Sequence, residues 1–165
     1  MKIPERIKPK PGQESVWDYP RPPRLEDVDG VIKIVFNRIT VAETRAAKRV
    51  LETSHPPVYY IPLKNVKRQY LEPAVGSSFC EWKGMASYYD MVVKDRRADK
   101  VGWHYPDPTE DFRSLKNHIA FYAGPMDACY INDEQVTPQP GGFYGGWITK
   151  NIVGPFKGES GTMFW

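Results

Sequence analysis

The 165-residue chain has only two cysteines, Cys80 and Cys129, and they lie far apart. That scarcity excludes a disulfide framework and the paired Cys-x-x-Cys motifs of a structural zinc site, so both thiols are expected to be reduced. Histidine is almost as scarce, and His55, His104 and His118 show no ligand spacing. No metal and no cofactor is therefore expected. No apolar run approaches the roughly 18 residues needed to span a bilayer, and the amino terminus lacks the apolar core of a secretory signal. The expected compartment is the cytoplasm, with no membrane partner. Net charge is also small, at +3, and the longest basic cluster, Lys94 to Lys100, is broken by Asp95 and Asp99. A nucleic-acid surface needs a clustered basic stripe, so no nucleic-acid partner is expected and the cluster reads as a solvated hairpin tip.

Aromatic rings are what the chain does have, at 13% of its residues against a hydrophobic content of 41%. Much of the apolar area must then come from rings with a polar edge, which fill cores and also line pockets. The length suits one core with appendages. Residues 1–27 carry Pro4, Pro9, Pro11, Pro20, Pro22 and Pro23, which exclude a helix or an internal strand and predict an extended arm. Val16, Trp17 and Tyr19 are too apolar to stay solvated, so the arm should dock on the body or on a second subunit. Residues 138–165 form a glycine- and aromatic-rich tail that should pack over the body in the same way.

Between them, residues 28–137 read as a mainly β domain. Val31 to Ala42 and Ala128 to Val136 are β-rich runs broken at Asn37-Arg38 and Asn132-Asp133, the mark of hairpins. Short helices are predicted over Glu43–Thr53, Pro62–Leu71 and Thr109–Lys116, the last with Phe112 and Leu115 inward. No strand-helix-strand rhythm recurs, so the expected architecture is about eight strands in two packed antiparallel sheets with two or three short helices.

The densest chemistry lies in Ser78 to Tyr89, S-F-C-E-W-K-G-M-A-S-Y-Y. A two-residue turn at Lys83 and Gly84 would pair Cys80 with Ser87 and Phe79 with Tyr88. Parity then turns Cys80, Trp82, Met85, Ser87 and Tyr89 inward and Phe79, Glu81, Ala86, Tyr88 and Asp90 outward. A three-residue loop with Gly84 in the left-handed region would shift the pairing by one.

The segments E-T-S-H-P-P-V-Y-Y-I-P, C-E-W-K-G-M-A-S-Y-Y, W-H-Y-P-D-P and I-A-F-Y, in that order, resemble the domain-of-unknown-function family 427. G-G-F-Y-G-G-W-I-T looks like its longer members. The resemblance implies a tent-like, Mss4-like architecture in which two antiparallel sheets lean together. It implies little chemistry, because the family carries only a nominal nucleotidyltransferase label. Such enzymes follow a Gly-Ser turn with two carboxylates one residue apart, which bind Mg²⁺ and orient the attacking hydroxyl. Gly76, Ser77 and Asp90 are present, but Val92 stands where the second carboxylate belongs.

Cys80 is a candidate nucleophile if Lys83 or a histidine lowers its pKa, and otherwise a small buried hydrophobe. His55 and His104 are candidate proton carriers, or hydrogen-bonded structural imidazoles. Lys83 could hold a carboxylate or phosphate as a point charge, or be a free turn residue. Tyr59, Trp82, Tyr88, Trp103 and Tyr105 come from three strands and are either core or, where the sheets splay, a concave apolar wall with Lys83, His55 or Arg45 at its rim. The leading expectation is thus a module binding a small molecule or a peptide end. The alternatives are an enzyme using Cys80 or a histidine, and an interaction protein whose docked tails build a homodimer.

Overall fold

The computed structural model describes residues 4–165. The arm supplies β1 (Glu14–Ser15) and β2 (Arg24–Asp27). Then β3 (Ile32–Phe36) and β4 (Ile39–Thr44) close a hairpin at Asn37 and Arg38, whose φ angles of 48° and 66° are the left-handed pair that a tight β-turn of this hand requires. The domain continues with β5 (Lys48–Leu51), β6 (Val58–Pro62), β7 (Leu71–Cys80), β8 (Gly84–Val93), β9 (Arg96–His104), β10 (His118–Phe121) and β11 (Ala128–Ile131). A second such hairpin joins β11 to β12 (Glu134–Gln135) through Asn132 and Asp133, at φ 47° and 68°. The tail adds β13 (Thr137–Pro138), β14 (Trp147–Ile148) and β15 (Ile152–Val153).

Seven strands form one antiparallel sheet in the order β2-β5-β6-β10-β9-β8-β7, and four form a second in the order β12-β11-β3-β4. The two sheets share one core. Ile32, Ile34 and Phe36 alternate inward along β3 and join Ile61, Met91, Val93, Ile119 and Phe121 of the larger sheet, as a sheet with one buried face dictates. This is the mainly β architecture with two large antiparallel sheets expected from the sequence, but the described residues hold fifteen strands instead of about eight, in part because the arm and tail add two-stranded ribbons, β1 parallel to β15 and β13 antiparallel to β14. Trp147 from the tail is fully buried in the same cluster. Among the described residues no helix is long and apolar enough to cross a membrane.

Helical structure among these residues is limited to 3₁₀ turns at Val16–Asp18, Leu63–Asn65, Arg68–Tyr70 and Glu110–Leu115. The helix predicted over Glu43–Thr53 does not form, because Lys48–Leu51 is instead a strand paired on both sides, with β2 and with β6. Over so few residues the apolar spacing suits either state, and two ladders of cross-strand partners outweigh a weak helical propensity. Pro62–Leu71 becomes two short turns that enter β7. Around Thr109, Phe112 and Leu115 are buried as predicted.

The arm lies against the body. Val16 and Tyr19 are buried with Leu51 and Ile152, and the Trp17 indole donates to the Pro155 carbonyl at 2.9 Å while its ring meets that of Trp165 at 5.5 Å. Arg49 of β5 ties arm to sheet, contacting Glu14 at 2.7 Å and Glu26 at 2.5 Å, and Tyr19 donates to the same Glu14 carboxylate at 2.7 Å. Burial alone would raise the Glu14 carboxyl, but the Arg49 and Tyr19 hydrogen bonds and the charges of Arg49 and Arg24 hold it below its ordinary value of 4.5. A carboxyl depressed in the folded state contributes stability above its unfolded pKa and loses it as pH falls through the folded value. Urea midpoints of the wild type should therefore drop as pH falls below about 4.5. Glu14→Gln should flatten that part of the profile, and an unchanged slope would show that the link carries no proton coupling.

Candidate functional site

The hairpin of β7 and β8 sets the geometry. Its loop has three residues, Glu81 to Lys83, and closes with Cys80 opposite Gly84, at φ 107°, and Phe79 opposite Met85. The two-residue turn is thus overturned, and the register moves by three positions instead of one. An odd shift exchanges the faces of β8. Ala86 turns in with Cys80, at 2% exposure, and Met85 turns out at 50% beside Phe79 at 72%. The cause is Gly84, which takes the left-handed strand-entry position and leaves Trp82 and Lys83 in the loop.

On the inward face of this hairpin lies a cleft of about 690 Å³. Its floor is Tyr60 of β6, Trp103 of β9, and Tyr105 and Tyr122 just beyond the ends of β9 and β10. Ser78, Cys80, Ala86 and Tyr88 form the hairpin wall. Phe143, Tyr144, Gly145 and Lys157 of the tail form the facing wall, with Glu52, His55, Trp82 and Lys83 around the mouth. The rings brace one another, Trp103 against Tyr122 at 4.7 Å and Tyr60 against Tyr105 at 6.4 Å. Burial raises the Tyr60 and Tyr105 phenols above their ordinary value, so both stay protonated. A second cavity of about 640 Å³ adjoins the first across Tyr88, Tyr122, Tyr144 and Gly145, and its polar groups are Ser77, Lys100 and Gln139. The tail crosses between them as a strap, fixed where the Tyr122 hydroxyl donates to the Phe143 carbonyl at 3.1 Å.

His55 is held by a network that assigns its tautomer. The Gln139 amide is oriented by its own partners, its Oε1 accepting from the Gly146 N–H at 3.0 Å and its Nε2 donating to the Lys157 carbonyl at 2.8 Å. The same Nε2 stands 3.1 Å from His55 Nδ1, which must therefore accept, leaving the ring proton on Nε2. Burial, then the charges of Lys157, Arg21 and Lys83, push this imidazole down to about 3. Glu52 lies 3.6 Å from Nε2 and would favour the charged ring, but Arg21 occupies the same oxygen at 3.3 Å. The ring is neutral, and a poor base near pH 7. The two lysines of the cleft sit over rings, Lys83 Nζ at 5.8 Å from the Tyr105 centroid and Lys157 Nζ at 5.5 Å from that of Tyr144. Of the two thiols only Cys80 opens on the cleft, for Cys129 is buried in the other sheet and pushed up to about 12.

Among the residues singled out in the sequence, His55, Cys80, Trp82, Lys83, Tyr88, Trp103 and Tyr105 line this one cleft. Three lie elsewhere. Tyr59 is in the main core, 5.4 Å from the Trp147 ring, because adjacent strand residues face opposite ways and it is Tyr60 that faces the cleft. Arg45 is exposed at the bend between β4 and β5. His104 stacks on Tyr89 at 4.8 Å, away from the cleft lining. Sequence reasoning missed Tyr60, Glu52, Tyr122 and the whole tail wall; the aromatic content of the tail signalled docking but not its place.

Of the residues that resemble a nucleotidyl-transfer site, Asp90 is committed to the fold, whereas Gly76 and Ser77 are exposed on the edge strand. Gly76 and Ser77 lie within β7, where the pairing with β8 is irregular. Both Asp90 oxygens are engaged, one by Arg97 at 2.8 Å and the other by the Lys100 N–H at 2.7 Å. Among the described residues no group of three His, Cys, Asp or Glu side chains is placed to hold a metal ion.

A family model described as a domain of unknown function, DUF427, matches residues 24–132. No curated protein matches the chain. The matched stretch contains the floor and the hairpin wall of the cleft. The facing wall, from Phe143 to Gly145 with Lys157, lies beyond it.

Proposed function

The chain belongs to the family described as a domain of unknown function, DUF427, and from the cleft it carries we propose that it is a binding module for a small molecule or a peptide end with a flat apolar body. The observation that carries this reading is the open cavity that the half-buried rings Trp82, Tyr88 and Tyr122 border, over a floor of Tyr60, Trp103 and Tyr105 that are themselves 1%, 8% and 5% exposed. A volume of about 690 Å³ suits a drug-sized ligand. The unpaired thiols fit a reducing, cytosolic compartment. The enzyme reading rests on Cys80 and His55 opening on the same cleft. It is the weaker, because His55 already accepts a hydrogen bond at Nδ1 and is held neutral far below its ordinary pKa.

Native mass spectrometry of protein purified from its source should show a retained small mass. The uncharged fluorophore N-phenyl-1-naphthylamine should brighten with the empty protein, and Ser78→Trp, which fills the cleft from an exposed position on β7, should abolish the brightening. If source-purified protein carries nothing and Ser78→Trp leaves the fluorescence as it was, this cleft is not the binding site.

A further inference from the structure

We infer that the ligand of this cleft is an acid, whose anionic group, a carboxylate or a phosphate, is clamped between Lys83 on the hairpin loop and Lys157 on the tail. The inference rests on the cleft being the binding site and adds the charge of what enters it. Two ammonium groups from segments more than 70 residues apart border one cavity. Among the described residues neither forms an ion pair with an Asp or Glu side chain, and Lys157 Nζ donates to the Trp165 backbone oxygen at 3.3 Å. Lys83 lies over Tyr105 of the floor and Lys157 over Tyr144 of its own wall, so neither is left to sweep through solvent.

His55 borders the same cleft. Lys157 and Lys83 both act on the His55 imidazole, together with Arg21. Two carboxylates also border the cleft. Glu52 is engaged by Arg21, and Glu81 is an exposed loop residue that faces solvent as well. Among the described residues the lysines' charge therefore faces one carboxylate of the lining that no arginine or lysine holds, Glu81. His55 adds a donor of the same sense, since Nδ1 accepts from Gln139 and Nε2–H is 3.6 Å from Glu52, too far for a hydrogen bond. An incoming anionic oxygen would meet two ammoniums and an N–H while its apolar body rests on Trp103 and Tyr105.

The matched probes N-phenyl-1-naphthylamine and 1-anilinonaphthalene-8-sulfonate share a ring system and differ by the sulfonate. Titrated into the full chain, the sulfonate should bind more tightly, and its affinity alone should fall with added salt. Lys83→Met and Lys157→Met should each weaken the sulfonate about tenfold, as loss of a charge-assisted hydrogen bond does, and leave the neutral probe within about twofold. Circular dichroism of both variants checks that the fold is kept. Equal losses for both probes, or none for the sulfonate, would overturn the acid-binding inference and leave the cleft reading standing. A neutral probe that fails to bind the wild type would remove both.

Discussion

Trp147→Ala is expected to cost about 3–5 kcal/mol of folding stability, the range for truncating a large ring in a packed core. Trp147 has 0% exposure, its ring meets Tyr59 at 5.4 Å, and its indole N–H donates to the Phe121 carbonyl at 3.0 Å. Alanine would leave a ring-sized void between the sheets and a buried carbonyl on β10 without its donor. Domains of this size hold only about 5–15 kcal/mol in all, so the variant should be largely unfolded under mild denaturant. Trp147→Phe separates the two terms: most of the apolar contact survives and the lost hydrogen bond alone should cost about 1–3 kcal/mol. Urea unfolding of the three proteins measures both steps. A loss below about 1 kcal/mol for Trp147→Ala would mean that the tail is laid over a core complete without it. The structure says otherwise, since a residue 15 positions beyond the family match sits at the centre of the shared core.

That point separates what was legible in the sequence from what was not. Asn37-Arg38 and Asn132-Asp133 announced their hairpins because the requirement is local: two consecutive left-handed residues, which asparagine and aspartate tolerate. Arg49 could not be read locally. Within E-T-R-A-A-K-R-V-L-E-T it looks like the polar face of a helix, and the carboxylates that hold it in a strand, Glu14 and Glu26, come from the arm. The same holds for the faces of the central hairpin, where the choice between a two- and a three-residue loop decides whether Met85 or Ala86 is inside. The shared face of Trp103 and Tyr105 was legible, as was that of Cys80, because an alternating strand fixes its own faces once one residue is assigned. Nothing in V-Y-Y-I says which of two equal rings, Tyr59 or Tyr60, faces the cleft. The tail wall was out of reach for a further reason. A glycine-rich segment declares its freedom, whereas the contacts that spend it lie on other strands.

Gly145→Ala is where that freedom can be tested, and it is expected to cost about 1–3 kcal/mol as an overpacked substitution while weakening both naphthyl probes more than about tenfold. A methyl group at position 145 would lie 2.0 Å from Cη2 and 2.9 Å from Cζ3 of Trp103. The Trp103 ring has little room to retreat, being 8% exposed and braced by Tyr122 at 4.7 Å. Nor can the strap slide along, because the adjacent Gly146 is equally confined, its own methyl position lying 2.6 Å from the Pro56 carbonyl oxygen and from Gln139 Oε1. The strap must therefore lift, which breaks the Tyr122 hydroxyl bond to the Phe143 carbonyl and merges the two cavities. Tyr144, the ring beneath the Lys157 ammonium, would move with it, so the sulfonate should suffer more than the neutral probe. Gly124→Ala is the matched control: it borders the second cavity, has nothing within 4 Å of the added methyl and needs no left-handed backbone, so stability should stay within about 0.5 kcal/mol and probe binding unchanged. If Gly145→Ala bound both probes like the wild type, the tail would be a cover placed near the cleft and not one of its walls, and the domain matched by the family would hold the ligand alone.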